Sequence, residues 1–164
     1  MKFILILLVT LQTLFALTLE APTFIPVVLK KHIYSLCGGE NISPEILVYN
    51  IPSKSKSLAL TIFDPDAPRP QGWWHWAIFN LPINNKIKEG IAADAFLQLK
   101  NDYGNFGYGG PCPPKGKPHH YIVTLYALKE KVNFPKETPI LKALGIIKPL
   151  ILEKAKIIGI YQRK

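Results

Sequence analysis

The stretch "SLALTIFDPDAPRPQGWWHWAIFNL", Ser57 to Leu81, carries the pattern that decides the fold. Its first eight residues are mostly apolar, with β-branched and aromatic members, and they read as a strand. The last nine, Trp73 to Leu81, read as a second strand. Between them "DPDAPRP" sets three prolines in seven residues. Each proline fixes its own φ and pushes the preceding residue to an extended conformation. The carboxylates of Asp64 and Asp66 are therefore expected to have little freedom. If the two strands are neighbours, one of these carboxylates comes close to His75. Strict alternation puts His75 on one face with Trp73 and Ala77, and Trp74 and Trp76 on the other. Taken singly, each piece has an ordinary explanation. Asp and Pro commonly end strands, and a strand histidine is commonly a hydrogen-bonded core group.

Outward from this hairpin the chain stays β-rich. "ILVYNI" (46–51) is a strand before the polar turn "PSKSK". "YIVTLYAL" (121–128) is apolar almost throughout and reads as a central strand buried on both faces. Residues 84–117 hold much Gly and Asn without periodicity, the mark of a long ordered loop, and such loops usually serve function. Farther on, Thr138 is placed to cap a helix that Pro139 opens and Gly145 ends. A second short helix is predicted over Pro149 to Ala155, then a last strand over 156–163. The fold class read from this order is mostly β (β-rich α+β): antiparallel sheets with short peripheral helices near the C-terminus.

The chain has 164 residues, a hydrophobic content of 48% and a charged content of 19%. That bounds it to one ordered globular domain and argues against disorder. The N-terminal "MKFILILLVTLQTLFA" has one positive charge, Lys2, then an uncharged apolar run to Ala16. This is the layout of a secretory signal peptide, too short for a membrane span. Residues 1–16 are read as the signal and 17–164 as a single domain. Cleavage after Ala21 is disfavoured because Pro22 would follow the cut. The expected location is outside the cytoplasm, periplasmic or secreted in a bacterium. In an oxidising compartment the two cysteines, Cys37 and Cys112, are expected to pair; two unpaired thiols are the alternative. The net charge is +9, and residues 129–164 hold nine basic against three acidic side chains. The lysines are spread among apolar residues rather than clustered, so a solvated basic surface is expected and nucleic acid is not.

A third constellation is "YGGPCPPKGKPHHY", Tyr108 to Tyr121. Gly109 and Gly110 permit close backbone approach and are expected to leave amide N–H groups free for an anion. Pro111, Pro113 and Pro114 stiffen the segment. His119 and Tyr121 then share a strand face while His120 points away.

Together "DPDAP", the His75–Trp76 pair and the "GPxPPxGxxHxY" spacing resemble the two signature regions of the phosphatidylethanolamine-binding protein (PEBP) family, in its bacterial Raf-kinase-inhibitor-like branch. The resemblance runs from "CGGENISPEI" (37–46) to "GIYQRK" (159–164). It implies a PEBP-like sandwich with a small pocket for phosphate-like anions or phospholipid headgroups. It also implies a binder, without enzymatic activity or cofactor, that acts as an inhibitor or modulator of a protein target, kinase-inhibitor-like or protease-inhibitor-like. Carried over by position, Asp64, Asp66, His75, Gly110, Pro113, His119 and Tyr121 line that pocket. His120 stands where the family usually has Arg, so any ion pair made there depends on pH. An aspartate hydrogen-bonded to His75 would favour its charged form, and His75, His119 and Tyr121 would donate to the anion.

Two other functions use the same residues. Asp64, Asp66, His75 and His119 are the residue types of a metal-dependent hydrolase, although no tight metal-ligand spacing or separate nucleophile accompanies them. Cys112 with His119 makes a nucleophilic pair only if Cys112 is a free thiol.

Overall fold

The computed structural model describes residues 15–164, so the apolar run assigned to the signal lies almost wholly outside the described residues. Among the described residues eight strands and one α-helix follow in order: β1 (Thr18–Glu20), β2 (Ile46–Tyr49), β3 (Ser57–Asp64), β4 (Trp73–Leu81), β5 (Lys86–Ile87), β6 (Leu97–Gln98), β7 (His119–Leu128), α1 (Ile140–Ile147) and β8 (Ile151–Tyr161). They make a three-stranded sheet, β1-β2-β5, and a five-stranded sheet, β6-β4-β3-β7-β8. Every named strand pairing is antiparallel. Among the described residues no helix is long and apolar enough to cross a membrane.

Alternation along β3 builds two cores, one on each face of the large sheet. Leu58, Leu60 and Ile62 meet Leu19 and Val48 of the small sheet, together with Trp76, Val123 and Leu125. Ala59, Ala77 and Phe79 pack on the other face against Phe134 and the α1 residues Ile140, Ala143 and Ile147. Each buried aliphatic side chain of this kind contributes about 1.5–3 kcal/mol.

The structure corrects the sequence reading at four places. The central strand of the large sheet is β3, buried along nearly its whole length. β7 lies one strand out, and its alternate residues His120, Ile122, Thr124 and Tyr126 are exposed or half-buried. α1 runs through the exposed Gly145 to Ile147, with Pro139 rather than Thr138 at its N-cap and no side-chain cap. The expected helix over 149–155 is a single 3₁₀ turn, Lys148–Leu150, and β8 starts at Ile151. Pairing with β7 along its full length outweighs the local helical preference of "LEKA".

The fourth correction concerns β4. In its pairing with β3, Ile62 faces Trp76 but Phe63 faces Trp74, so His75 is an extra residue, a β-bulge. The bulge breaks the alternation. Trp74 packs at a tilt against Phe63 on the α1 side, whereas Trp76 lies in the opposite core, the side to which His75 turns its ring. The two tryptophans expected on one face are on opposite faces.

Candidate functional site

At the end of the inter-sheet core, where β3 stops and β4 and β7 begin, lies a cleft of about 170 Å³. It is far smaller than the several hundred Å³ of a drug-sized site. Asp64, Trp73, His75, Tyr103, Pro113 and His119 are among its walls.

β3 delivers Asp64, which is 3% exposed. Its Oδ1 accepts from the Asp66 backbone N–H at 2.8 Å, a turn imposed by the intervening proline. Its Oδ2 accepts from His119 Nδ1 at 2.7 Å. This carboxylate therefore orients His119, the first residue of β7, rather than the expected His75. Nδ1 of His119 is committed to Asp64, and Nε2 makes no bond and is not sealed off from the cleft.

His75 has a different partner. Its Nδ1 lies 2.6 Å from the Gly109 carbonyl, which accepts only, so Nδ1 carries the proton. Gly109 N–H donates back to the His75 carbonyl at 2.8 Å, stitching the loop to the bulge. Burial pulls the His75 pKa down to about 4, against smaller opposing effects from the Gly109 carbonyl and Asp64. At neutral pH the ring is uncharged and Nε2 bears a lone pair. The expected charged, donating His75 is thus replaced by a neutral one.

The glycine amides also differ from expectation. Gly109 N–H is used by His75, and Gly110 N–H donates to Asn41 Oδ1 at 2.7 Å. Neither is free for an anion. Glycine at 110 is required for another reason: a Cβ there would sit 2.1 Å from the His32 carbonyl oxygen. The Gly110 carbonyl accepts from Tyr103 Oη at 2.9 Å. Tyr103 stacks on Tyr34 at 4.0 Å between ring centroids and meets the edge of Trp73 at 5.1 Å.

The remaining candidates divide. Pro113 is on the wall. Tyr121 lies beneath it, its ring 5.1 Å from that of His75, and its hydroxyl is buried without a partner. Burial, aided by Asp64, keeps that hydroxyl protonated well above the usual range. Asp66 does not line the cleft. It accepts from His120 N–H at 2.8 Å and lies 2.7 Å from His120 Nδ1, on the outer face. Burial works to raise its pKa, but the His120 hydrogen bonds prevail and lower it. His120, at the position where an ion pair was in question, thus pairs with Asp66. Cys37 and Cys112 form a disulfide, which excludes Cys112 as a free nucleophile, and Cys112 itself touches the cleft.

Two contributors were not singled out as site residues. Trp73 presents an indole Nε1 that is buried without a partner. Tyr103 comes from the aperiodic segment, whose length alone signalled function. The hydrolase reading finds no donor set, because Asp66 faces outward and no group of three or more His, Cys, Asp or Glu among the described residues is arranged to hold a metal.

Comparison with known proteins places this geometry. A family model described as phosphatidylethanolamine-binding protein matches residues 22–162. The UPF0098 protein YbhB of Escherichia coli is 41% identical over 107 residues, which cover 60% of this chain and 68% of that protein. A UPF0098 protein of Methanothermobacter thermautotrophicus is 41% identical over 133 residues, covering 77% of this chain and 87% of its own. Among solved structures, E. coli YbcL, described as a new member of the mammalian PEBP family, gives a TM-score of 0.84 at 31% identity. That match covers 90% of this chain and 99% of YbcL. A PEBP homolog from Chlamydia trachomatis, CT736, gives 0.81 at 29% identity over 91% of this chain and 99% of its own.

Proposed function

The chain belongs to the phosphatidylethanolamine-binding protein family, and on that premise we propose that its cleft binds the phosphate of a small phosphate-bearing molecule or phospholipid headgroup. The observation that carries the reading is the pair of unbonded ring nitrogens, Nε2 of His75 and of His119, on two residues that line the cleft. Polar groups left unsatisfied at a buried wall are costly and call for a partner. His119 is the arm that meets the anion: Asp64 holds its Nδ1 and so orients Nε2 as the free position. The small volume suits a headgroup rather than an acyl chain. The protein acts as a binder and not an enzyme, is exported to the periplasm or beyond the cell, and modulates a partner protein in the manner of a kinase or protease inhibitor.

A thermal-shift titration with inorganic phosphate and phosphoethanolamine tests the pocket. At 100 times the dissociation constant a ligand adds about 2.7 kcal/mol to stability. The expected shift is present in the native protein and absent in His119→Ala. A variant that responds like the native protein would overturn the assignment.

A further inference from the structure

Resting on that reading, we infer that the pocket selects an oxyanion that brings its own proton: a phosphate monoester in its hydrogen-phosphate form, in preference to sulfate or a phosphodiester. The argument is geometric. The Gly109 carbonyl fixes the single proton of His75 on Nδ1, and the reciprocal bond from Gly109 N–H to the His75 carbonyl locks loop and bulge together. Nε2 is left as an acceptor inside the cleft. A ligand oxygen without hydrogen would set its lone pairs against that nitrogen. A P–OH group donates to it instead, while another oxygen accepts from His119. Sites that accept from a ligand O–H reject analogues lacking it, because the acceptor is then buried unpaired. Burial supports the geometry by holding the His75 ring neutral down to about pH 4.

Charge can be held constant while the proton is removed. At pH 5 methyl phosphate and dimethyl phosphate both carry about one negative charge, since the second ionisation of a monoester lies near pH 6. They differ in one O–H against one O–CH₃. Sulfate adds a comparison of similar size with no proton. Titration calorimetry at pH 5 should show inorganic phosphate and methyl phosphate binding about tenfold or more tighter than sulfate and dimethyl phosphate. Glycerophosphoethanolamine, a diester whose ammonium could donate to His75, serves as a further arm; affinity equal to that of methyl phosphate would overturn the inference.

Between pH 5 and pH 8 the affinity ratio of methyl phosphate to sulfate should fall about tenfold or more, as the monoester monoanion loses its only proton. The other groups facing the ring are Asp64 on β3, His119 and Tyr121 on β7, and Tyr103 and Asp102 in the loop. At equal ligand charge, as for methyl against dimethyl phosphate at pH 5, their charges act alike on both ligands. In His75→Gln the amide can turn its N–H inward, so discrimination should collapse; full discrimination in that variant would overturn the inference. If that variant does not fold, the native phosphate-to-sulfate ratio decides alone. Equal binding of phosphate and sulfate removes this inference and leaves the pocket. Binding of none of these anions removes the pocket, and this inference with it.

Discussion

His75 is held neutral by burial, and that has a thermodynamic consequence. Its pKa is about 4 in the folded chain against an ordinary value of 6.5. Between those values the unfolded chain takes up a proton that the folded chain refuses, so stability falls as pH drops through the window. The full loss is roughly 3 kcal/mol for a shift of this size. His32 acts in the same direction. Burial lowers its pKa, although its ring bonds to the Ile42 carbonyl and Thr23 Oγ1 satisfy both nitrogens. Urea midpoints from pH 7 to pH 4 should decline in the native protein and decline less steeply in His75→Gln; parallel curves would count against the neutral buried ring. Asp64 makes a second case. Two donors, the Asp66 N–H and His119 Nδ1–H, converge on its carboxylate. An asparagine offers one oxygen and one NH₂, so one donor must face another. Asp64→Asn should cost about 1–3 kcal/mol in urea denaturation. It should also remove the phosphate-induced thermal shift by freeing His119, whereas a variant with undiminished stability would show that this hydrogen-bond pair is not essential.

The pocket wall between Leu99 and Pro111 is a loop, and its order rests on Asn101. That side chain is 4% exposed; its Oδ1 accepts from Tyr103 N–H at 2.9 Å, and its Nδ2 donates to the Gly107 carbonyl at 3.0 Å. Asn101→Ala should cost about 1–3 kcal/mol and speed amide exchange across residues 101–110, with Tyr103 released from the cleft. Unchanged protection there would mean that other contacts set the wall. How much of this was legible in the sequence depends on where each signal resides. The strands β3, β4 and β7 are visible because their apolar runs are local. So is the separation of His119 from His120, which needs only alternation. The bulge at His75 was invisible, because it exists only in the register against β3. The choice of His119 over His75 as the partner of Asp64 was hidden for a similar reason. Asp64 and His75 are near in sequence, but β7 arrives beside β3 from 55 residues away. The glycine amides looked free because their partners, the His75 carbonyl and Asn41, come from distant segments. β8 was misread at its start because "LEKA" favours a helix until β7 offers a full-length edge.

At the scale of the molecule, one covalent link joins regions that the sheets leave apart. The Cys37–Cys112 bond spans 75 residues and ties the 3₁₀ turn Ser35–Cys37 to the pocket wall. Arg163, next to the C-terminus, adds a third segment, its Nη1 lying 2.8 Å from Cys37 Sγ. Closing a loop of that length restricts the unfolded chain, and the chain-entropy model gives about 4 kcal/mol. Both hydrophobic cores are built from the sheets, β3 and α1 in particular, and Cys37 only borders one of them. The link is therefore expected to add stability and fix the wall without determining the fold. A Cys37→Ser, Cys112→Ser double variant should keep the native far-ultraviolet circular dichroism while its thermal midpoint falls by about 8–16 °C. The same variant separates two roles of the bond. If the bond acts only on the unfolded chain, phosphate affinity measured below the new midpoint stays native. If it also holds Cys112, Pro113 and Pro114 against the cleft, affinity drops as well, and the contact of Cys112 with the cleft leads us to expect that drop. A midpoint within a few degrees of native would show that the sheets already restrain these segments and that the bond adds little.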